Sequence, residues 1–485
     1  MTSLHVQTEQ YRAEILLKPG ETIAEALERI RIWVPMPCGG NGTCGKCRVC
    51  ADGVWVKSCR TIPVKDTSIT AFGWEQGGVQ DMTVLMAESV ETGHSGKCIL
   101  AVDIGTTTLA AALVDADTGA VLDTAGVANH QNRYGADVLS RIRAAAVKDG
   151  NRTAMQQTVR ADVKKLWEEL AAKHPECVPE EIYLAGNTTM EHLFMGDSCE
   201  SLGKAPFLPV SLAERHTQLE GIPVTLLPGI SAFVGADIAA GMLACELDKR
   251  EKPTLLLDIG TNGEMALVTE DGVYVTSAPA GPAFEGGNIS CGMPGMPGAI
   301  CKVRIAGTRS ICRVIGGKEA AGICGTGVLE LVAELLDHRL VDSKGCMAEA
   351  YTAKGYPLAS GKGRRILFTQ EDLRQVQMAK AAICSGVRIL LRKAGISETE
   401  LAEVFLAGGF GYYLDVQKAV RVGILPKSLE KKTKAAGNTS LQGCILYATD
   451  KNAPLRMQRM IEASREVNLA NEPEFEAEYI ANMDF

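Results

Sequence analysis

The chain repeats itself, and the repeat limits its fold more than any other feature. Leu100-Ala-Val-Asp103-Ile-Gly105-Thr106-Thr107-Thr108, followed by an apolar run to Val114, returns as Leu256-Leu-Asp258-Ile-Gly260-Thr261-Asn262-Gly263-Glu264, followed by an apolar run to Val268. Each copy reads as an apolar strand, an Asp-x-Gly-Thr turn and a second strand, then a turn at 115–119 or 270–272 and a third strand. Further on, Ile182-Tyr-Leu-Ala-Gly186 is answered by Val404-Phe-Leu-Ala-Gly408, and the stretch 227–237 by 436–443. A duplication on this scale predicts two similar halves, 98–250 and 251–485, each running three strands, helix, strand, helix, strand, helix. Two such halves face each other across a cleft.

The turns carry the chemistry. Gly105 and Gly260 permit tight turns whose backbone N–H groups can cradle phosphate. Asp103 and Asp258 supply carboxylates that bind Mg²⁺ through its waters. Thr106, Thr107, Thr261 and Asn262, with Gly263 beside them, are placed to contact phosphates. This is the equipment of phosphoryl transfer, in which positioning and electrostatics do most of the work.

The first 75 residues read as a separate α+β domain. Strand-like runs at 4–8 and 13–17 precede a Lys18-Pro19-Gly20 turn and a short helix over 21–30 with Ile23, Ala26, Leu27 and Ile30 on one face. Cys38, Cys44, Cys47 and Cys59 then follow with the spacing C-x5-C-x2-C-x11-C. The first three sit among Gly39, Gly40, Gly42 and Gly45, which let the backbone wrap an inorganic cluster and aim N–H groups at its sulfides. The pattern resembles ferredoxins that hold a [2Fe–2S] cluster on four thiolates. A structural zinc site is the competing reading, although paired CxxC knuckles are its usual form. Cys50 lies close enough to replace a ligand, but the alternation over 48–52 makes it a strand residue. The x11 interval is shorter than related ferredoxin domains usually have, which implies a trimmed lid over the cluster. Residues 76–97 read as a polar tether with a helical stretch at 82–89.

Composition excludes several classes. With 485 residues, a formal charge of −8 and no dense Lys/Arg block, nothing suggests nucleic-acid binding. The apolar run at 98–116 contains Asp103 and cannot cross a bilayer cheaply, and the first 13 residues have no export pattern. A cytoplasmic location is therefore expected, with the sixteen cysteines reduced or metal-bound rather than paired in disulfides.

Taken in order, Asp103–Thr108, 228–237, Asp258–Glu264, 408–411 and 437–443 resemble the two phosphate motifs, two connecting motifs and adenosine motif of the actin, sugar-kinase and heat-shock-chaperone superfamily of ATPases. The resemblance implies a ribonuclease-H-like fold for each half and nucleotide contacts from Gly408, Gly409 and Phe410. With the cysteine motif upstream, nearly the whole chain resembles the reductive activators of corrinoid proteins. Supporting stretches are Asn132-Arg-Tyr-Gly135-Ala-Asp137-Val138, Gly186-Asn-Thr-Thr-Met190, Ala278-Pro-Ala-Gly281-Pro-Ala-Phe-Glu285-Gly-Gly287, Gly325-Thr-Gly327, Thr369-Gln-Glu-Asp372 and Ala379-Lys380-Ala-Ala.

That resemblance implies a β-grasp ferredoxin domain and ATP-driven reduction of a Co(II) corrinoid to Co(I). It implies as partners the corrinoid protein of a methyltransferase system and an upstream donor such as a ferredoxin or flavoprotein, with a homodimer as a candidate assembly. The middle domain of the best-known member is expected to be missing here.

Among individual residues, Asp237 is a candidate for orienting the attacking water, or else a helix N-terminal carboxylate. Lys380 is a candidate nucleotide contact, or else a snorkelling surface lysine. Glu285 belongs either in the cleft or on a partner-facing loop. Two rivals share the ATPase fold: a small-molecule kinase, and a radical-dehydratase activator whose cluster would sit on cysteines such as Cys291 and Cys324. A plain electron carrier would need no ATPase half.

Overall fold

The computed structural model describes residues 2–8, 12–30, 32, 34, 42, 45, 47–72, 97–147, 150–307, 309–317, 319–361, 364–408 and 415–485. Cys38, Cys44, Gly409, Phe410 and nearly all of the 76–97 tether, with its expected helix, lie outside them.

The N-terminal domain is a five-stranded mixed sheet in the order Arg12–Leu16, Ser3–Gln7, Thr67–Phe72, Arg48–Ala51, Val54–Lys57. The helix Ile23–Arg29 belongs to the same domain. Thr22 and Glu25 open that helix as a reciprocal cap, each side chain accepting from the other's backbone N–H at 2.9 and 3.2 Å. Ile23, Ala26 and Leu27 are fully buried with Leu4, Val49 and Ile69, which is what the 3.6-residue and two-residue periods of these segments require. The interval between the third and fourth cysteines is a hairpin, with Cys47 just before its first strand and Cys59 just after its second.

The two halves of the remaining chain each form a six-stranded sheet. In the first the order is Arg215–Leu219, Ile222–Leu226, Pro179–Gly186, Cys98–Ile104, Thr108–Asp115, Val121–Ala128. In the second it is Thr433–Gly437, Glu403–Ala407, Thr254–Ile259, Gly263–Thr269, Gly272–Ala278, Ser464–Glu466. The correspondence is close: Cys98–Ile104 pairs in parallel with Pro179–Gly186 as Thr254–Ile259 does with Glu403–Ala407. Both central strands are almost wholly buried, because helices cover both faces, and they therefore read as continuous rather than alternating apolar runs.

The halves also differ. Between Gly272–Ala278 and the long helix Gln370–Lys393, the second half inserts a three-stranded sheet of Ala299–Ala306, Arg309–Val314 and Gly322–Ile323. The helix Gly325–Asp337 and a hairpin of Tyr356–Gly361 with Arg364–Phe368 follow. The internal repeat could not announce this insertion, since the first half has no copy of it.

The halves meet through the helices Ala236–Ala244 and Thr439–Thr449, which pack against each other at the base of the cleft. One buried cluster contains Ile99 and Ala112 from the first sheet, Leu256 and Ala266 from the second, and both helices, so the two halves share a core. The approach is close enough to demand glycine: a Cβ at Gly443 would lie 1.9 Å from the Ala240 carbonyl oxygen.

Candidate functional site

Above these helices lies a cavity of about 220 Å³. Its walls come from both Asp-x-Gly-Thr turns, from Asn187 and Asp237 of the first half, and from Glu264, Glu285, Thr326, Gly408, Asn438 and Ser440 of the second. The parallel strands end here, and the chain leaves each one at its carboxyl end, where side chains from several loops converge.

Asp103 is the next-to-last residue of the first half's central strand. The second half holds its carboxylate: Asn438 Nδ2 donates to Oδ2 and Ser440 Oγ to Oδ1, each at 2.8 Å. Both donors stand at the start of Thr439–Thr449, whose first turn Asn438 caps by accepting from Leu441 N–H at 2.9 Å. Helix capping and carboxylate positioning are thus one arrangement. Asn187 does similar work in the first half. It caps the helix Thr188–Met195 and donates to Thr106 Oγ1 at 3.0 Å.

Behind the first turn, the guanidinium of Arg141 is completely buried, donating to the Thr106 carbonyl and, from Nε, to the Gly135 carbonyl at 3.0 Å. Burial pulls its pKa down to about 10, partly offset by the charges of Asp137, Glu285 and Asp162.

Five carboxyl groups face this space. Burial pushes Asp103, Asp237, Asp258, Glu264 and Glu285 all above the ordinary carboxylate range, with Asp237 reaching about 7. Mutual repulsion adds to the effect: Asp103 acts on Asp237, while Asp237, Asp103 and Glu285 act on Asp258. Glu264 Oε1 is buried with no hydrogen-bond partner. Hard oxygen donors with unbalanced charge and an orphaned oxygen suit a hydrated divalent cation such as Mg²⁺, which Asp103 and Asp258 would hold through its waters.

Glu285 lies in the cleft. Its Oε2 accepts from Thr107 Oγ1 of the first half at 3.0 Å and from Thr261 Oγ1 of the second. Gly408, at φ +112°, closes over Asp258, and a Cβ there would come within 2.8 Å of Asp258 Oδ1.

Two expected contacts are not brought to the cavity. Gly263 begins its strand with its α-carbon turned to the helix Gln370–Lys393, where a Cβ would meet Ile383 Cγ1 at 2.8 Å. Its role is close packing. Lys380 is only 3% exposed, so it does not snorkel either. Its amine donates to the Asp484 carbonyl and stands 5.4 Å from the centre of the Phe485 ring, fastening the chain's last residues to the helix. Of the two cysteines weighed for a radical-dehydratase cluster, Cys324 lines the cavity and Cys291 does not.

Sequence reasoning did not single out Arg141, Glu264, Asn438 or Ser440. The last three sit inside motifs it did find. Arg141 follows the Asn132–Asp137 stretch by one helical turn, and a lone arginine on a helix carries no signal until its burial is known.

In the N-terminal domain, Cys47 and Cys59 are buried with their sulfurs 3.2 Å apart. Gly42 and Gly45 beside them adopt left-handed φ of +75° and +65°, as a loop wrapping a cluster needs. Lys57 Nζ holds the Gly42 carbonyl at 2.6 Å. Cys50 pairs with Trp55 and Ala71 inside the sheet and is half-buried. Two adjacent soft thiol donors with no disulfide between them fit an iron–sulfur centre.

Comparison with known proteins agrees with this geometry. Residues 6–71 match the 2Fe-2S iron-sulfur cluster binding domain, residues 98–250 the RACo middle region, and residues 252–485 the C-terminal ASKHA domain of RACo. The corrinoid activation enzyme RamQ of Eubacterium limosum is 32% identical over 417 residues, covering 80% of this chain and 70% of that protein. The chain belongs to the RACo family. The middle region expected to be missing is therefore present, as the first half of the duplicated domain.

A second RACo relative, a [Co(II) methylated amine-specific corrinoid protein] reductase of Methanosarcina barkeri, is 28% identical, covering 76% of this chain and 72% of that one. The solved structure of a reductive activator for a corrinoid, iron-sulfur protein superposes with a TM-score of 0.75 at 25% identity, covering 100% of this chain and 98% of the other.

Proposed function

We propose that this RACo-family chain is an ATP-dependent reductive activator. It transfers one electron from a [2Fe–2S] cluster on Cys38, Cys44, Cys47 and Cys59 to the Co(II) corrinoid of a methyltransferase's corrinoid protein, giving Co(I). The observation that carries this reading is the pairing, in one chain, of a buried thiol site with a carboxylate-lined cleft between two duplicated halves. In this reading residues 1–75 hold the cluster, 76–97 tether it, and 98–485 bind and hydrolyse ATP·Mg²⁺. A cytoplasmic ferredoxin or flavoprotein would reload the cluster. Among the described residues no helix is long and apolar enough to cross a membrane.

The cluster supplies the single electron, and the ATPase domain makes the transfer favourable. For one electron, about 59 mV is a tenfold change in equilibrium, or about 1.4 kcal/mol. A nucleotide can contribute only through its different affinity for two conformations. The element with two conformations is the cleft, whose walls touch through Asn438 and Ser440 on Asp103 and through Glu285 on Thr107 and Thr261. Closing it would bring together Asp103 and Asp258, which would hold Mg²⁺ through its waters, and Asp237, which would orient the attacking water. In this reading Thr106, Thr107, Thr261 and Asn262 would contact the phosphates, and Gly408, Gly409 and Phe410 the adenosine. The corrinoid protein would be gripped differently by the open and closed forms, and a homodimer would present two such clefts.

The test is separability. Asp103→Ala and Asp258→Ala should each abolish ATP turnover while the visible spectrum of the cluster stays unchanged. Wild-type turnover in both variants would remove these carboxylates from the mechanism. Stoichiometric transfer of phosphate to a sugar or acid would favour the kinase reading.

A further inference from the structure

Glu285 occupies an unusual place in the cleft. Its carboxylate accepts hydrogen bonds from Thr107 Oγ1 at 3.0 Å and from Thr261 Oγ1, one hydroxyl from each of the two duplicated turns, Thr107 standing one position further along its turn than Thr261 does. Those hydroxyls stand 3.4 Å from each other. A single anionic group therefore holds one hydroxyl donor from each half, at a point where one phosphoryl group lying between the halves would reach both.

The backbone behind the carboxylate is anchored. Glu285 ends the short helix Pro282–Glu285, in which Ala283 and Phe284 are 2% and 1% exposed. The next residue, Gly286, turns the chain at φ +77°, and a Cβ there would meet Met293 O at 2.6 Å. The segment cannot retreat as a unit. Only the side chain can leave the two threonines, by rotation about its own bonds.

We infer that Glu285 is a specificity-determining residue that competes with the terminal phosphate of a nucleoside triphosphate for Thr107 and Thr261, so that a triphosphate must displace it and a diphosphate need not. The inference rests on the nucleotide reading of the cleft given above. Two anions cannot share the same pair of hydroxyl donors at hydrogen-bond distance, and with Asp103, Asp237 and Asp258 close by, further negative charge is repelled strongly in so buried a place. The contact also joins the halves: Thr107 belongs to the first sheet's turn, Thr261 and Glu285 to the second. Before a triphosphate enters, the Glu285 bridge ties the two walls. Once it has entered, its terminal phosphate does so in the carboxylate's place. Loss of that phosphate on hydrolysis returns both hydroxyls to Glu285, which favours product departure.

This role differs from that of a catalytic base or a cation ligand, and the three separate experimentally. The full-length, cluster-loaded chain is titrated calorimetrically with β,γ-imido-ATP and with ADP, each with Mg²⁺, as wild type, Glu285→Gln and Glu285→Ala. Glu285→Gln keeps the shape and guards against a folding failure in the alanine variant. Competition predicts that β,γ-imido-ATP binds at least about tenfold more tightly to Glu285→Ala, a shift of about 1.4 kcal/mol, and more tightly by a smaller factor to Glu285→Gln. ADP should change less than about twofold in either. Weaker triphosphate binding would make Glu285 a ligand-holding group and overturn the inference. Equal shifts for ATP analogue and ADP would reduce its role to general electrostatics and overturn it too, as would no shift at all. If wild type binds neither nucleotide, the nucleotide reading itself fails and the inference falls with it. If wild type binds both, the cleft reading stands whatever the variants show.

Discussion

Gly443→Ala poses a sharp question, because local and tertiary arguments give it opposite signs. Gly443 lies inside the helix Thr439–Thr449, where replacing glycine by alanine would by itself stabilise the helix by about 1 kcal/mol. In the folded chain, however, a Cβ there would stand 1.9 Å from the Ala240 carbonyl oxygen, 2.3 Å from its carbon and 2.7 Å from Ala240 Cα. All three are backbone atoms of the facing helix, so no side chain can rotate away. Restoring the 3.4 Å of an ordinary contact requires the helices to part by over an ångström. Overpacking of this kind costs about 1–3 kcal/mol, toward the upper end when only backbone can yield, so the net effect should be destabilising by about 1–2 kcal/mol and lower the melting temperature by a few degrees.

The same displacement carries Asn438 and Ser440 away from Asp103, and misplacement by about 1 Å in such a site can cost 100-fold in rate. ATP turnover should accordingly fall by at least tenfold. Gly241→Ala on the opposing helix is the control. Its nearest neighbours would be side-chain atoms, Leu256 Cδ2 at 2.9 Å and Thr439 Oγ1 at 3.0 Å, which can adjust, so its effect should be smaller. Scanning calorimetry and a phosphate-release assay decide the matter. A Gly443→Ala chain that melts at or above the wild-type temperature and hydrolyses ATP normally would refute the claim that this crossing sets the geometry of the cleft.

Two further expectations concern other parts of the molecule. Burial lowers the Lys380 pKa to about 8, below the ordinary 10.5, so between those values the unfolded chain binds more protons and stability should rise with pH. Melting temperatures measured from pH 8 to 10 should show that rise in wild type and a flatter profile in Lys380→Met; parallel profiles would contradict it. In the N-terminal domain, Cys47→Ser and Cys59→Ser should each bleach the cluster's visible absorption while Cys50→Ser keeps it, and the opposite pattern would replace Cys59 by Cys50 as the fourth ligand.

The legible part of this fold was the part encoded twice or by unusual residues. The Asp-x-Gly-Thr turns, the strands around them and the cysteine loop carry short-range patterns whose chemistry admits few uses, and the described residues place the turns and strands as expected, while Cys38 and Cys44 lie outside them. What stayed hidden depends on long-range burial. Glu285 had an address but no partner until Thr107, 178 positions away, was seen to donate to it. Arg141 reads as an ordinary helical arginine, and only the Thr106 and Gly135 carbonyls reveal it as the support of a phosphate turn. Lys380 misled because its helix does border the second half's core, yet the amine finds the Asp484 carbonyl rather than the cleft. The inserted sheet at 299–323 has no repeat partner, so the duplication that exposed the rest of the domain could not expose it.

The central claim is that one chain joins ATP use to electron delivery from its own cluster. It is tested most directly by following the Co(II) to Co(I) absorbance change of a methyltransferase corrinoid protein at limiting chemical reductant, with wild type, Asp103→Ala and Cys59→Ser. The account predicts rapid cobalt reduction only with wild type and ATP together. Asp103→Ala should keep its cluster but reduce no cobalt, and Cys59→Ser should still bind ATP and the corrinoid protein but reduce no cobalt. Full-rate Co(I) formation by Cys59→Ser, or by wild type without ATP, would contradict it.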